Sequence, residues 1–457
     1  MTNLRTLVNE PAVTSRRLLS KLRSVARRRA RRRDPKSSTL SDHFAEPIRP
    51  VAPSDPPGAT IVLLNDSRDL HNYGAKSNPD GLIGILSLSA PNATLLPIPS
   101  HWLIDTSFGL GAFVNDGVGM RQPRATYPKV ADEFEAVAEE WMLGRGGPGA
   151  HHFLTRLEDA DVVVVNGEGS VYRDNLSAIR EMFLAWLAKA RLGIPTIFVN
   201  GTVHLTDVVP VLPAMVRKTF SALDAVAVRE PRSLRNLREY VPDLDVQMVP
   251  DTAFFFTSDD ALETRAVREV RAQIGDVPYF CFDPGPMPMD ARDGQGSALH
   301  QLISALKRVT PGAAFVASAT SDRYIEKVAR ETGSLYVDID TVADYREYMA
   351  LVADAQFVVT GRYHNAILAA IMGCPAITLA STSHKVHGAC ELLEGLAGSP
   401  YDATYVRPHV DAIEQQARAY VGDRADLSDR LQEVCARRRS ETLKIGRLVD
   451  ELVPRVP

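Results

Sequence analysis

Ten short apolar runs, separated by longer amphipathic stretches, limit what this chain can become more than any other feature. TIVLL, DVVVV, PTIFV, AVAV and VQMV form a first series; YFCF, AAFVAS, SLYVDI, QFVVT and AITLAS form a second. Such runs are rich in β-branched residues and lack in–out alternation, so they read as strands buried on both faces. The intervening stretches, such as LSAIREMFLAWLAKARLG ending at Gly193, carry helical spacing and a glycine stop. Strands alternating with helices predict an α/β fold of parallel sheets covered by helices on both faces. The segment from Asp251 to Val277 reads as a crossing between the two series, and 457 residues at 45% hydrophobic can fill two cores. The expected organisation is a first α/β domain over 59–260, a second over 261–405, and a charged helical segment over 406–457.

The N-terminal end differs in kind. Residues 1–33 hold 11 Lys/Arg against the single acid Glu10, leaving 41 against 55 in the remainder, so a +10 arm precedes a −14 body. Within Arg16–Arg33, Leu18, Leu22 and Val25 lie at helical spacing amid dense positive charge. This suits peripheral contact with an anionic membrane or an acidic partner, and equally a solvated basic tail. No aromatic residue is interleaved to stack on bases, so nucleic acid is not expected. Residues 34–58 contain six prolines without periodicity and read as a linker. No run is long and apolar enough for a membrane span, and no apolar signal region follows the arginines. The four cysteines lack paired spacing. A cytoplasmic protein with reduced thiols is expected, with the arm as a peripheral anchor at the inner membrane face if the membrane reading holds.

In open α/β sheets, ligands bind outside the carboxyl ends of the strands. The residues following the runs are Asn65 and Asp66, Asn166, Asn200, Arg229, Asp251, Asp283, Ser318, Asp338, Arg362 and Ser383. Asn65, Asn200, Ser318 and Asp338 read first as helix caps. Capping cannot account for Arg229 or Arg362, because a guanidinium accepts no hydrogen bond. In VVTGRYHNAILAAIMG, the strand QFVVT passes into a helix through Gly361, Arg362, Tyr363 and His364. A helix start offers unpaired N–H groups to an anion, and an arginine fork beside it suits phosphate or carboxylate. The same turn is compatible with a structural Arg–Asp pair.

These segments carry a family resemblance in their order and spacing. DADVVVVNGEGSVYRDN, DAVAVREPRSLRNL, VPDTAFFF and VADAQFVVTGRYHNAILAAIMGCPAITLASTSHKVHG together resemble the polysaccharide pyruvyl transferase family. The resemblance implies two Rossmann-like domains facing a central cleft, in a glycosyltransferase-B-like arrangement. It implies transfer of a pyruvyl group from phosphoenolpyruvate, a donor substrate rather than a cofactor, onto two hydroxyls of a sugar in a cell-surface glycan or its precursor, lipid-linked or free. The product would be a cyclic ketal, with phosphate released. Carried over residue by residue, the family's donor-binding arginines fall on Arg229 and Arg362 and its histidine on His364. A base is also required, for which Glu168 and Asp251 are the candidates.

Further contacts are expected around these residues. NGEGS brings Asn166 and Glu168 to a tight turn, read either as an acceptor contact or as a purely structural turn; many relatives carry a run of glycines there. NDSRDLHNYGAKSNPDG, Asn65 to Gly81, reads as a long polar loop whose Asn72 and Gly74 approach the acceptor. After the last run, Ser383, His384 and Lys385 could reach the phosphate. FDPGPMPMDARDGQG departs from the shorter basic turn expected of the family. His151 and His152 adjoin each other without ligand spacing, and no metal site is expected. Two rival readings share the architecture: a glycosyltransferase using a nucleotide sugar, and a non-catalytic carbohydrate-binding relative in an envelope-assembly complex.

Overall fold

The computed structural model describes residues 58–100, 125–172, 176–208, 211–285, 289–380 and 383–453. The basic arm, and with it the membrane-contact expectation, lies outside them, as does the linker up to residue 57.

All ten runs contribute strands, in two six-stranded sheets. The first contains β1 (Thr60–Asp66), β2 (Thr94–Pro99), β3 (Val162–Asn166), β5 (Thr196–Gly201), β7 (Ala225–Val228) and β8 (Gln247–Met248), in the order β2-β1-β3-β5-β7-β8. The second contains β9 (Tyr279–Asp283), β10 (Gly312–Val316), β11 (Leu335–Val337), β12 (Val358–Thr360), β13 (Ala376–Ala380) and β14 (Tyr401–Asp402), in the order β11-β10-β9-β12-β13-β14. Every pairing is parallel. The strand order reverses between β1 and β3 in one sheet and between β9 and β12 in the other, which locates a crevice at each. A small parallel pair, β4 (Val171–Tyr172) with β6 (Val203–His204), stands apart from the large sheets.

Two edge strands escape the sequence pattern. TLLPIP of β2 holds Pro97 and Pro99, which argue against a central strand but are tolerated at an edge, where β2 lies. β14 is only two residues long.

The expected polar loop Asn65–Gly81 is corrected by the structure. Asp66 caps a short 3₁₀ turn, and Tyr73–Ser89 is helix despite Pro79 inside it. Asn72 supplies the start, its Oδ1 accepting from Gly74 N at 2.8 Å and Ala75 N at 3.4 Å. Pro79 has no N–H for the carbonyl of Ala75 four residues back. The hydroxyl of Ser67 takes that place, donating to Ala75 O at 2.7 Å.

The C-terminal segment holds the helices Val410–Gly422, Arg424–Thr442 and Lys444–Asp450. It does not stay with the second sheet. Thr442 Oγ1 donates to Pro250 O at 2.7 Å and Arg439 Nε to Phe255 O at 2.8 Å. The last helix buries Ile445 and Val449 in the first core beside Ile61, Leu63 and Ile85. Fully burying such a side chain contributes about 1.5–3 kcal/mol. In return, Tyr73, Ala253 and Phe254 join a core of the second sheet.

Candidate functional site

The strand ends of the two sheets meet at Arg229 and His364. Arg229 follows β7 and is fully buried; His364 lies in the first turn of helix Tyr363–Ile371 after β12. Arg229 Nη1 stands 2.9 Å from Asp251 Oδ2 and 3.2 Å from His364 Nε2, and its Nε donates to Thr202 Oγ1 at 2.8 Å. The guanidinium lies over the Tyr363 ring, 4.4 Å from its centroid. Its Nη2 is buried without a hydrogen-bond partner among the described residues. A buried cation is stable only when its donors are answered, so an unanswered one points to a ligand.

Asp251 faces both side chains. It caps the turn Thr252–Phe255 by accepting from Ala253 N at 2.8 Å, and its Oδ2 lies 3.5 Å from His364 Nε2. Burial pushes its carboxyl up, but His364 and Arg229 outweigh that and bring it down to about 2. It is therefore a fixed anion beneath the histidine. The other face of the histidine ring lies against Gly74 at the start of helix Tyr73–Ser89, where a Cβ would fall 2.2 Å from Nδ1.

The NGEGS turn approaches from the first sheet. Glu168 adopts a left-handed φ of 35°, and its carboxylate turns back to accept from Gly169 N. Burial works against its charge, but Arg229, His364 and Lys385 hold its carboxyl below the usual range. A Cβ on Gly169 would stand 3.5 Å from Arg229 Nη2 and 3.8 Å from Lys385 Nζ, so two cations converge over a bare Cα.

Asn166 plays a different part. It belongs to a buried ladder along the strand ends: Asn65 Nδ2 donates to Asn166 O at 2.7 Å, Asn200 Nδ2 to Asn166 Oδ1 at 3.1 Å, and Asn200 Nδ2 to Thr252 Oγ1 at 2.7 Å. Thr252 in turn bonds Asn78 O, and Asn78 Nδ2 lies 3.3 Å from Asp251 Oδ2. Asn65 and Asn200, expected as helix caps, are instead left-handed residues at φ 69° and 63° that tie the strand ends together. Ser318 and Asp338 likewise do other work: Ser318 Oγ donates to Asp322 Oδ2 at 3.3 Å, and Asp338 pairs with Arg323.

Arg362 realises the Arg–Asp alternative. Its Nε and Nη2 bond Asp322 at 3.1 and 2.5 Å, and Nη2 also reaches Ser321 Oγ at 3.0 Å. The arginine keeps 15% of its side chain exposed above a fully buried carboxylate. Ser383 is half-buried, with its Oγ 3.5 Å from Lys385 N; His384 bonds Glu230 Oε1 at 3.1 Å. Asn72 is engaged as the helix cap, and its backbone bridges Ala319 of the second half. Sequence reading did not single out Thr202, Asp322 or Asn78. Of these only Thr202 had a signal, its position directly after β5. His151 lines a separate pocket of about 440 Å3 with Trp141, Leu154 and Ile194, away from this cluster.

The polysaccharide pyruvyl transferase sequence profile matches residues 62–384. The chain belongs to the polysaccharide pyruvyl transferase family. No curated protein matches this family member. Among solved structures it is similar to Anabaena HepE in complex with UDP, at 13% identity and TM-score 0.50, over 86% of this chain and 98% of that one. It is also similar to sucrose-phosphate synthase from Thermosynechococcus elongatus, at 13% identity and TM-score 0.50, over 86% and 99%. At such identity the likeness is one of fold: this pyruvyl transferase family member has the glycosyltransferase-B-like architecture that its sequence led one to expect. Among the described residues no helix is long and apolar enough to cross a membrane.

Proposed function

We propose that the protein transfers the pyruvyl group of phosphoenolpyruvate onto two hydroxyls of a sugar in a cell-surface glycan or its precursor, forming a ketal and releasing phosphate. The observation that carries this reading is the contact of Arg229 with His364 over an ionised Asp251, with Arg229 Nη2 left unanswered beside Gly169 and Lys385. A donor with one phosphate and one carboxylate needs cations at two places. Arg229 with Lys385 supplies the first, and Arg362, oriented by Asp322, supplies the second.

The chemistry follows from these placements. His364, placed by Asp251 and Arg229, gives a proton to the methylene carbon, and C2 becomes an oxocarbenium centre. The first sugar hydroxyl adds to C2 and loses its proton to a base. Departure of phosphate, drawn by Arg229 and Lys385, regenerates the cation, and the second hydroxyl closes the ring with loss of its proton. Glu168 is the base in this scheme, because it is partly exposed whereas Asp251 is committed to Arg229, Asn78 and Ala253 N.

The test is a thermal-shift comparison of phosphoenolpyruvate with a panel of nucleotide sugars, followed by phosphate release with candidate glycan acceptors. Stabilisation by phosphoenolpyruvate, and release that His364→Ala and Arg229→Ala abolish, are expected. Stabilisation by a nucleotide sugar alone would replace this reading with glycosyl transfer. The accompanying proposal of peripheral contact through residues 16–33 predicts loss of sedimentation with anionic vesicles when the arm is removed.

A further inference from the structure

One buried acid takes no part in the chemistry above. Glu181 sits in helix Leu176–Trp186 among Ala178, Ile179, Met182, Phe183 and Leu184, with no exposure at all. A carboxyl in such surroundings is costly unless its hydrogen bonds are made. Its Oε2 meets the hydroxyl of Ser170, the last residue of NGEGS, and its Oε1 has no partner among the described residues.

Ser170 Oγ also lies 2.7 Å from Gly167 O, across the turn. A hydroxyl has a single hydrogen, and here it stands between a carbonyl oxygen and a carboxyl oxygen. Both short contacts are bonds only if the carboxyl brings its own proton: Glu181 donates to Ser170, and Ser170 donates to Gly167 O. Burial, with the Glu168 charge adding to it, pushes the Glu181 carboxyl well above the usual range, in keeping with this chain of donors; Ser170 works the other way. Glu168 is the ionisable group that bears on it across the turn.

Between Gly167 and Ser170 stands Glu168, in its left-handed conformation. The turn is pinned on its other side by Gly167 N to Val199 O at 2.9 Å and Thr202 N to Glu168 O at 2.7 Å. Thr202 is also the residue that receives Arg229 Nε. We propose that Glu181 is a positioning residue: through Ser170 it locks the NGEGS turn in the conformation that presents Glu168 and leaves Gly169 bare beside Arg229. A left-handed non-glycine residue persists only when its surroundings over-determine it, and Glu181 is the part of those surroundings that comes from the helix layer.

The catalytic part of this proposal rests on the pyruvyl-transfer reading; the structural part does not, and the experiment separates them. Glu181→Gln keeps a neutral donor in place, Glu181→Ala removes it, and Ser170→Ala removes the link without a large cavity. Hydrogen exchange of the amides of residues 167–170 is expected to match wild type in Glu181→Gln and to accelerate at least about tenfold in the two alanine variants, a loss of about 1.4 kcal/mol. Unchanged exchange in Ser170→Ala overturns the proposal, even if Glu181→Ala does not fold. The acid's folded value lies above its unfolded one, so the wild type binds the extra proton when folded and loses stability as pH rises beyond about 4.5. Glu181→Gln lacks this loss, so its melting temperature should exceed that of the wild type by a margin that grows from about pH 5 to about pH 8; a constant margin overturns the neutral-acid assignment. With phosphoenolpyruvate and acceptor, Glu181→Ala should lower kcat at least about tenfold with the donor KM little changed, and Glu181→Gln should restore it. If the wild type turns over no phosphoenolpyruvate, the exchange and stability results still decide the role of Glu181.

Discussion

Arg362 reaches the crevice with two of its nitrogens already bonded to Asp322, Nε at 3.1 Å and Nη2 at 2.5 Å. The carboxylate is fully buried, so the guanidinium is held in one orientation before any ligand arrives. Asp322→Asn should release it. The expected result is a rise of about tenfold in the KM for phosphoenolpyruvate with kcat changed less, read from steady-state phosphate release. Tighter donor binding in this variant would instead mean that Asp322 competes with the donor.

Gly74 should tolerate no side chain. A Cβ there would lie 2.2 Å from Nδ1 and 2.9 Å from Cγ of His364, and the ring is itself held by Arg229 and Asp251. Gly74→Ala should cost about 1–3 kcal/mol by denaturant unfolding and remove most turnover. In a His364→Ala background the stability cost should largely vanish, a coupling that a double-mutant cycle measures directly.

Gly169 offers the opposite case. Its Cβ would make ordinary contacts, 3.5 Å to Arg229 Nη2 and 3.8 Å to Lys385 Nζ, so Gly169→Ala should fold with stability within about 1 kcal/mol of wild type. In the proposed reaction the methyl group would nonetheless stand in the path of a donor phosphate oxygen. Calorimetric affinity for phosphoenolpyruvate should fall at least about tenfold.

Asp283 closes β9 at the strand-order reversal, wholly buried, with its Oδ2 accepting from Tyr348 OH at 3.0 Å and Asn365 Nδ2 at 2.5 Å and its Oδ1 without a partner among the described residues. Burial outweighs these hydrogen bonds and pushes its carboxyl up to about 7. A carboxyl raised in the folded state favours folding less as pH climbs from its unfolded value through the folded one. Asp283→Asn should therefore gain on the wild type between about pH 4 and pH 7 and hold that gain above; about 4 kcal/mol is the upper bound set by the shift. Melting curves across this range provide the measurement.

The proline in helix Tyr73–Ser89 makes a local prediction. Ser67→Ala should cost about 1 kcal/mol, since it strips the partner from Ala75 O. With Pro79→Ala in place, the new N–H can bond the same carbonyl, and the Ser67 substitution should become nearly neutral.

What the sequence reveals here depends on how local the signal is. The eight central strands are visible because burial on both faces demands continuous apolar runs; the edge strands β8 and β11 also read as apolar runs, although they are only partly buried. β2 is hidden by Pro97 and Pro99, which only its edge position makes acceptable, and helix Tyr73–Ser89 by Pro79, whose substitute donor lies twelve residues upstream. In the site, Arg229, Asp251 and His364 follow from the strand-end rule and from the family resemblance, and the structure brings all three into contact. Asp322 and Glu181 could not be read in the same way. An arginine announces that it needs an anion without saying which, and a glutamate in an apolar helix does not name its serine.

The return of the C-terminal helix to the first sheet decides how this chain can be divided. A fragment ending near residue 260 would contain every strand of that sheet yet lack Ile445 and Val449, leaving their places in its core open to water. The remainder would carry those two side chains with nothing to cover them. Neither half is a module that could be expressed, swapped or fused alone; the least separable unit keeps the last helix with the first sheet.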